Sequence, residues 1–256
     1  MPPLVKRLLA FAVSAIVVHL IYIGIILPGS ESAIALAQNQ GLQSVPRNLF
    51  VILKDIEQEI CIILMFWGIY LMVEKWFSII KDKYLFGEDL LRISEIAHDD
   101  KIETLRAVRK NLTNLPDSVV RTPLVKTIVL SVDHFLITKD VHNTSETIDS
   151  NVEALAVGIE GENSMIRYLI WAIPSIGFIG TVRGIGQALS QADQALAGDI
   201  AGMTSSLSVA FNSTFVALII SIFLMFLLHE LQRMQDALVV NIRAYCQKHI
   251  MEHISQ

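Results

Sequence analysis

Two threonines offer the clearest chemistry in this sequence. Thr181 lies in Ile173-Pro174-Ser175-Ile176-Gly177-Phe178-Ile179-Gly180-Thr181-Val182-Arg183-Gly184, and Thr214 in Ala210-Phe211-Asn212-Ser213-Thr214-Phe215. A hydroxyl both donates and accepts, so these two side chains, with Ser213 beside them, set polar groups into an otherwise apolar stretch. Small residues frame them. Gly177, Gly180, Gly184 and Ala188 recur at spacings of three and four, as do Ser206, Ala210, Ser213, Ala217 and Ser221. Such stripes let two helices approach closely, and taken alone they describe ordinary membrane helix packing. The placement of the hydroxyls adds to that. If 191–203 is the connecting loop, Thr181 and Thr214 stand about equally far from its centre on antiparallel helices. Ten residues of helix is roughly 15 Å, which puts both near a bilayer midplane.

Arg183 is the other conspicuous residue of this stretch. It lies about 200° around the helix from Thr181 and roughly 12 Å below the loop, where a lone arginine is costly. Either it snorkels to the interface or it finds a partner. Depth along the chain points to Glu59, with Asn212 as auxiliary acceptor, in an ion pair that serves assembly and not conduction. His249 and His253 share a helix face, but without a third ligand a solvated face is the better reading than a metal site. His19, inside an apolar run, either relays protons or bonds a neighbouring helix. No nucleophile, base and orienting group occur together, so an enzyme is not expected and no cofactor is implied. The net charge of −5 carries no nucleic-acid signal. Cys61 and Cys246 fall in different environments and are not expected to pair.

The elements that must position these residues are membrane helices. Residues 200–228 contain no charge, and neither do residues 8–27; either run exceeds or matches the ~20 residues needed to span as a helix. Residues 60–73 extend to a span at about 55–78 with the flanking apolar and aromatic residues. Residues 168–182 form a span if the helix carries Arg183 within it. Ten of the 20 Lys and Arg lie from Lys75 to Lys126, two precede the first span and three follow His229. The positive-inside rule therefore places both termini and the middle segment in the cytoplasm. Ala35-Leu36-Ala37 imitates a signal-peptide cleavage site, but the apolar run is long and the site lies well beyond it, so a retained span is expected.

Between the second and third spans the chain reads as polar helices. One covers 88–111, breaks follow at Leu115-Pro116 and Thr122-Pro123, a second covers 124–138, and a third starts with Thr144 or Ser145 as cap and leads into the third span. Past His229 an apolar stripe of Leu231, Met234, Leu238, Ile242 and Tyr245 calls for a partner surface. The fold class is an all-α membrane protein with four transmembrane helices, a helical cytoplasmic segment and a helical tail. Its parts are a first hairpin at 1–80 with outer loop 28–50, the cytoplasmic segment at 81–165, a second, pore-lining hairpin at 166–228, and the tail at 229–256.

The order of Pro174, Gly180-Thr181-Val182 and, after a short loop, Ala210 to Phe215 resembles the paired-helix signature of the MotA/TolQ/ExbB proton channel family. The resemblance covers 173–228; the four-span layout is similar to MotA, while the Gly-Thr-Val wording is closer to TolQ and ExbB. Two departures stand out: Val209 where ExbB-like chains often carry glutamate, and Arg183 where TolQ and ExbB more often have an apolar or aromatic residue. The resemblance implies a bacterial inner-membrane protein, a homopentamer around two copies of a single-span MotB/TolR/ExbD-like partner. That partner's membrane aspartate carries the ion past Thr181 and Thr214, and the shell and its core turn proton flow, or sodium flow, into mechanical work. In agreement, no carboxylate lies between Glu162 and Asp193 or between Asp199 and Glu230. The competing reading is a non-conducting scaffold or receptor whose small-residue helices only pack.

Overall fold

A computed structural model describes residues 3–39, 48–87, 90–91 and 101–255. Among the described residues every regular element is helical. In chain order these are α1 (Pro3–Ile21), a π-turn (Tyr22–Ile26), α2 (Leu27–Asn39), α3 (Leu49–Leu53), α4 (Ile56–Leu85), α5 (Lys101–Thr113), α6 (Asp117–Val120), α7 (Pro123–Thr138), α8 (Val141–Glu162), α9 (Ser164–Ser190), α10 (Ala192–Leu196), α11 (Ala201–Cys246), a second π-turn (Gln247–Met251) and α12 (Glu252–Ser255). Four helical stretches are long and apolar enough to cross a membrane: Leu4–Ala37, Ile56–Leu85, Val141–Ser190 and Ala201–Ser255. The chain divides into two compact units, Met1–Val73 with Met165–His229, and Glu74–Ser164 with Glu230–Gln256.

The first unit holds the apolar spans. Its first helix runs past residue 27, so the chain expected as a loop from 28 is helical to Asn39, and residues 40–47 lie outside the described residues. Pro28 offers no N–H to Gly24 and its ring crowds the preceding turn; the wider π-turn, in which the Leu27 N–H bonds Tyr22 O, ends immediately before it. Val18, Tyr22 and Ile26 pack on Leu53, Ile62 and Ile63. At the other end Trp67 Nε1 donates to Arg7 O at 3.1 Å and its ring meets Phe11 edge to face at 5.0 Å. Large apolar side chains such as Leu20, Phe178 and Phe223 are exposed. In lipid such surface costs nothing, and the backbone is satisfied within each helix.

The second unit encloses an apolar core of its own. Leu105, Val108 and Leu112 of α5 and Leu124, Val125, Ile128 and Val132 of α7 are completely buried, the helical spacing that sequesters one face. The part of the first expected polar helix before Lys101 lies largely outside the described residues. Pro123 opens α7 at its first turn, where a missing N–H is harmless, and Lys139 ends that helix in the left-handed conformation with φ 53°. The cap of α8 is Asp140, which accepts from the His142 and Asn143 amides, and not Thr144 or Ser145. Thr144 sits inside the helix, its hydroxyl returned to Asp140 O. The aspartate wins because the left-handed Lys139 places it at the first free amides. In the tail helix Leu231, Leu238, Ile242 and Tyr245 are buried, with Asn163 and Gln235 amides bonded at 2.7 Å among them.

Candidate functional site

Two helices of the membrane unit, α9 and α11, touch at backbone distance. A Cβ on Gly177 would lie 2.5 Å from Ala217 Cβ, one on Gly180 would lie 2.5 Å from Ser213 Cβ, and one on Gly184 would lie 2.7 Å from the Ala210 amide nitrogen. No side chain fits at these three positions, so the small-residue stripes are the contact surface itself. Pro174 adds a polar requirement. It cannot donate to Ile170 O four residues back, and Ser221 Oγ of α11 donates to that carbonyl at 3.0 Å. Below it Cys61 Sγ of α4 reaches Ile173 O at 3.7 Å.

The threonine pair lies in the middle of this seam. Thr181 Oγ1 is within 3.0 Å of Ala210 O, and Thr214 Oγ1 within 3.1 Å of Gly177 O, so each hydroxyl donates to a carbonyl of the opposite helix. The two hydroxyls also contact each other. Each carries one proton and has several acceptors in reach, Thr181 having its own Gly177 O as well at 3.3 Å. Proton positions around the pair are therefore exchangeable without moving a backbone atom. Ser213 is buried, donates to Val209 O at 2.9 Å and accepts from Gln58 Nε2 at 3.4 Å.

The ion pair expected of Arg183 forms with a different partner. Arg183 Nε and Nη2 each lie 2.7 Å from an oxygen of Glu57, whose side chain is 7% exposed. Glu59 turns instead to His19, 2.7 Å from its Nδ1, and Asn212 Nδ2 turns to Ser208 Oγ at 3.4 Å. Helix phase explains the correction. Glu57 and Glu59 are two residues apart, about 200° around α4, so only one of them can face α9. Depth was legible in the chain and rotation was not.

Glu57, passed over in favour of Glu59, and Gln58 are the candidate-site residues that reasoning from motifs did not select. Glu57 Cγ would meet a Gly180 Cβ at 3.2 Å, and Gln58 is completely buried against Ser213. A row of polar residues opening an apolar span, Asp55-Ile56-Glu57-Gln58-Glu59, was the available signal. It places a carboxylate next to a helix pair that has none of its own, although Arg183 holds that charge. His249, for its part, stacks on Tyr245 at 4.4 Å, and among the described residues no three His, Cys, Asp or Glu side chains converge as a metal set.

A family model for the MotA/TolQ/ExbB proton channel family matches residues 114–244, which includes α9, α10 and nearly all of α11. No curated protein matches the sequence. The match takes in just over half of the 256 residues, including both threonines and the glycine seam, and the chain belongs to the MotA/TolQ/ExbB proton channel family.

Proposed function

We propose that this chain is the shell subunit of a membrane motor driven by an ion gradient, five copies of it enclosing two copies of a single-span MotB/TolR/ExbD-like partner. A carboxylate on the partner carries a proton, or sodium, past Thr181 and Thr214, and the passage moves core against shell. The observation that carries this reading is the pair of touching, multiply bonded hydroxyls inside the segment that matches the family. Hydroxyls with alternative acceptors can donate a hydrogen bond to a passing carboxylate while it is ionised and accept one from it while it carries the proton. Among the described residues the acid against this helix pair is Glu57, held by two contacts from Arg183, which supports a carrier supplied by the partner. The distribution of Lys and Arg supports an inner-membrane protein with both termini on the cytoplasmic side.

One feature favours the scaffold reading: the hydroxyls satisfy carbonyls across the seam, as packing alone would require. Thr214→Val separates the two readings, since valine keeps the shape and removes the hydroxyl. The motor reading expects ion-driven activity to fall to background while the intact-complex mass, that of a pentamer with its partner, stays unchanged. Full activity in the variant, or a monomer or dimer by native mass measurement, overturns it.

A further inference from the structure

His19 is left unused by the threonine seam, and its surroundings have the composition of a second site. The imidazole, 61% exposed, faces a Glu59 carboxylate that is only 18% exposed. One turn further along, where α1 opens into the π-turn, Tyr22 is 2% exposed and its hydroxyl has no hydrogen-bond partner among the described residues. Tyr22 belongs to the cluster that packs on Leu53, Ile62 and Ile63, which flank Asp55 and Glu59 in the chain. Asp55 Oδ2 is itself buried without a partner. Ionisable groups inside a membrane are costly and mark proton pathways when they are not simply cancelled, and a π-turn commonly accompanies such a site.

A pair serving only as glue between spans one and two would have its neighbours satisfied, because a buried polar group left unbonded destabilises the fold. Here two polar atoms of the same spans, the Tyr22 hydroxyl and Asp55 Oδ2, keep spare bonding capacity among the described residues. Spare capacity suits a site whose charge changes, because an unbonded hydroxyl or carboxylate oxygen can take up a hydrogen bond as that charge appears. The remaining charges nearby are balanced. Glu57 is held by Arg183, and Lys54 stands beside Asp55. Glu59 is therefore the acid of this row that faces a histidine.

We propose that His19 and Glu59 form a proton-exchange site between the first two spans, separate from Thr181 and Thr214, with Tyr22 and Asp55 connecting it to the loop end of the membrane unit. In the unloaded state neutral His19 donates its Nδ1 proton to ionised Glu59. A hydronium ion gives one proton to Nε2 and becomes water, leaving an imidazolium–carboxylate pair; release to water reverses the step. Only the use of this proton in conduction rests on the motor reading; its binding does not.

The test is an infrared difference titration of the full chain in lipid nanodiscs, with pH and then sodium as the probes. The expected result is a carboxylate band that is lost in Glu59→Gln, changes with pH in the parent chain because the facing imidazole gains its proton, no longer changes with pH in His19→Gln, and does not respond to sodium at fixed pH. Thr214→Val should leave the band untouched even though it stops ion-driven activity, so failure of the motor reading and failure of this site give different results. If Glu59→Gln does not assemble, Tyr22→Phe keeps the ring packing and must still move the midpoint of that pH change. A titration unchanged in these variants, or a band displaced by sodium, overturns the proposal.

Discussion

In the membrane unit Gly177, Gly180 and Gly184 leave no room for a methyl group, and hydroxyls reach across the seam to main-chain carbonyls. In the other unit Leu105, Leu124, Ile128 and Val132 are completely enclosed, while charged pairs such as Arg243–Asp149 at 2.7 Å remain half-exposed at the surface. The difference follows from the solvent each unit meets. Lipid is as apolar as leucine, so burying a leucine between membrane helices gains little and close backbone packing with interhelical hydrogen bonds has to supply cohesion. In water the burial of apolar area is the principal driving force. The same chain thus uses glycine where leucine would fail, and leucine where glycine would.

The largest expected effect that tests this contrast is in the polar unit. Leu105→Ala removes a wholly buried side chain and should cost about 2–5 kcal/mol. Leu20→Ala, at a position 63% exposed on the first span, should change stability by less than about 0.5 kcal/mol. Thermal denaturation of the full chain in detergent, followed by circular dichroism, compares them; equal losses would break the distinction between the units.

Next is the ion pair between α4 and α9. Arg183→Ala strands a Glu57 carboxylate that is 7% exposed, and should cost up to about 3 kcal/mol, the low end for a buried pair because the arginine is 39% exposed. Arg183→Glu should impair assembly as measured by size-exclusion chromatography. Adding Glu57→Arg should recover part of the loss, and Glu59→Arg should recover none; strict additivity with Glu57→Arg would show that the pair contributes nothing.

The smallest effect carries the sharpest sign. Gly184→Ala pushes a methyl against the Ala210 backbone and should destabilise by about 1–3 kcal/mol. Gly158→Ala, inside α8 with nothing within 4 Å of its added Cβ, should stabilise by about 0.5–1 kcal/mol. Denaturation of the two variants side by side reads the opposite signs, and a shared sign would mean that helix propensity outweighs the seam.

By itself the sequence determined what depends on composition along the chain. Uncharged runs at 8–27 and 200–228 must enter lipid wherever the rest of the protein goes, because their length and apolarity exceed any other use. Pro123 and the small-residue stripes likewise specify a helix start and a helix contact through local sterics. Thr181 and Thr214 could be placed at one depth by counting from a loop, because rise per residue is constant. Tertiary structure decided what depends on rotation and on capping competition. Glu57 and not Glu59 meets Arg183, since two residues turn a helix by about 200° and only the packed neighbours set which side faces inward. Asp140 and not Thr144 begins α8, since the left-handed Lys139 chose where the chain re-enters the helix. The His19–Glu59 contact was invisible for the same reason: residues 19 and 59 are brought together only when two spans, each individually satisfied as a helix, take up a definite azimuth against one another.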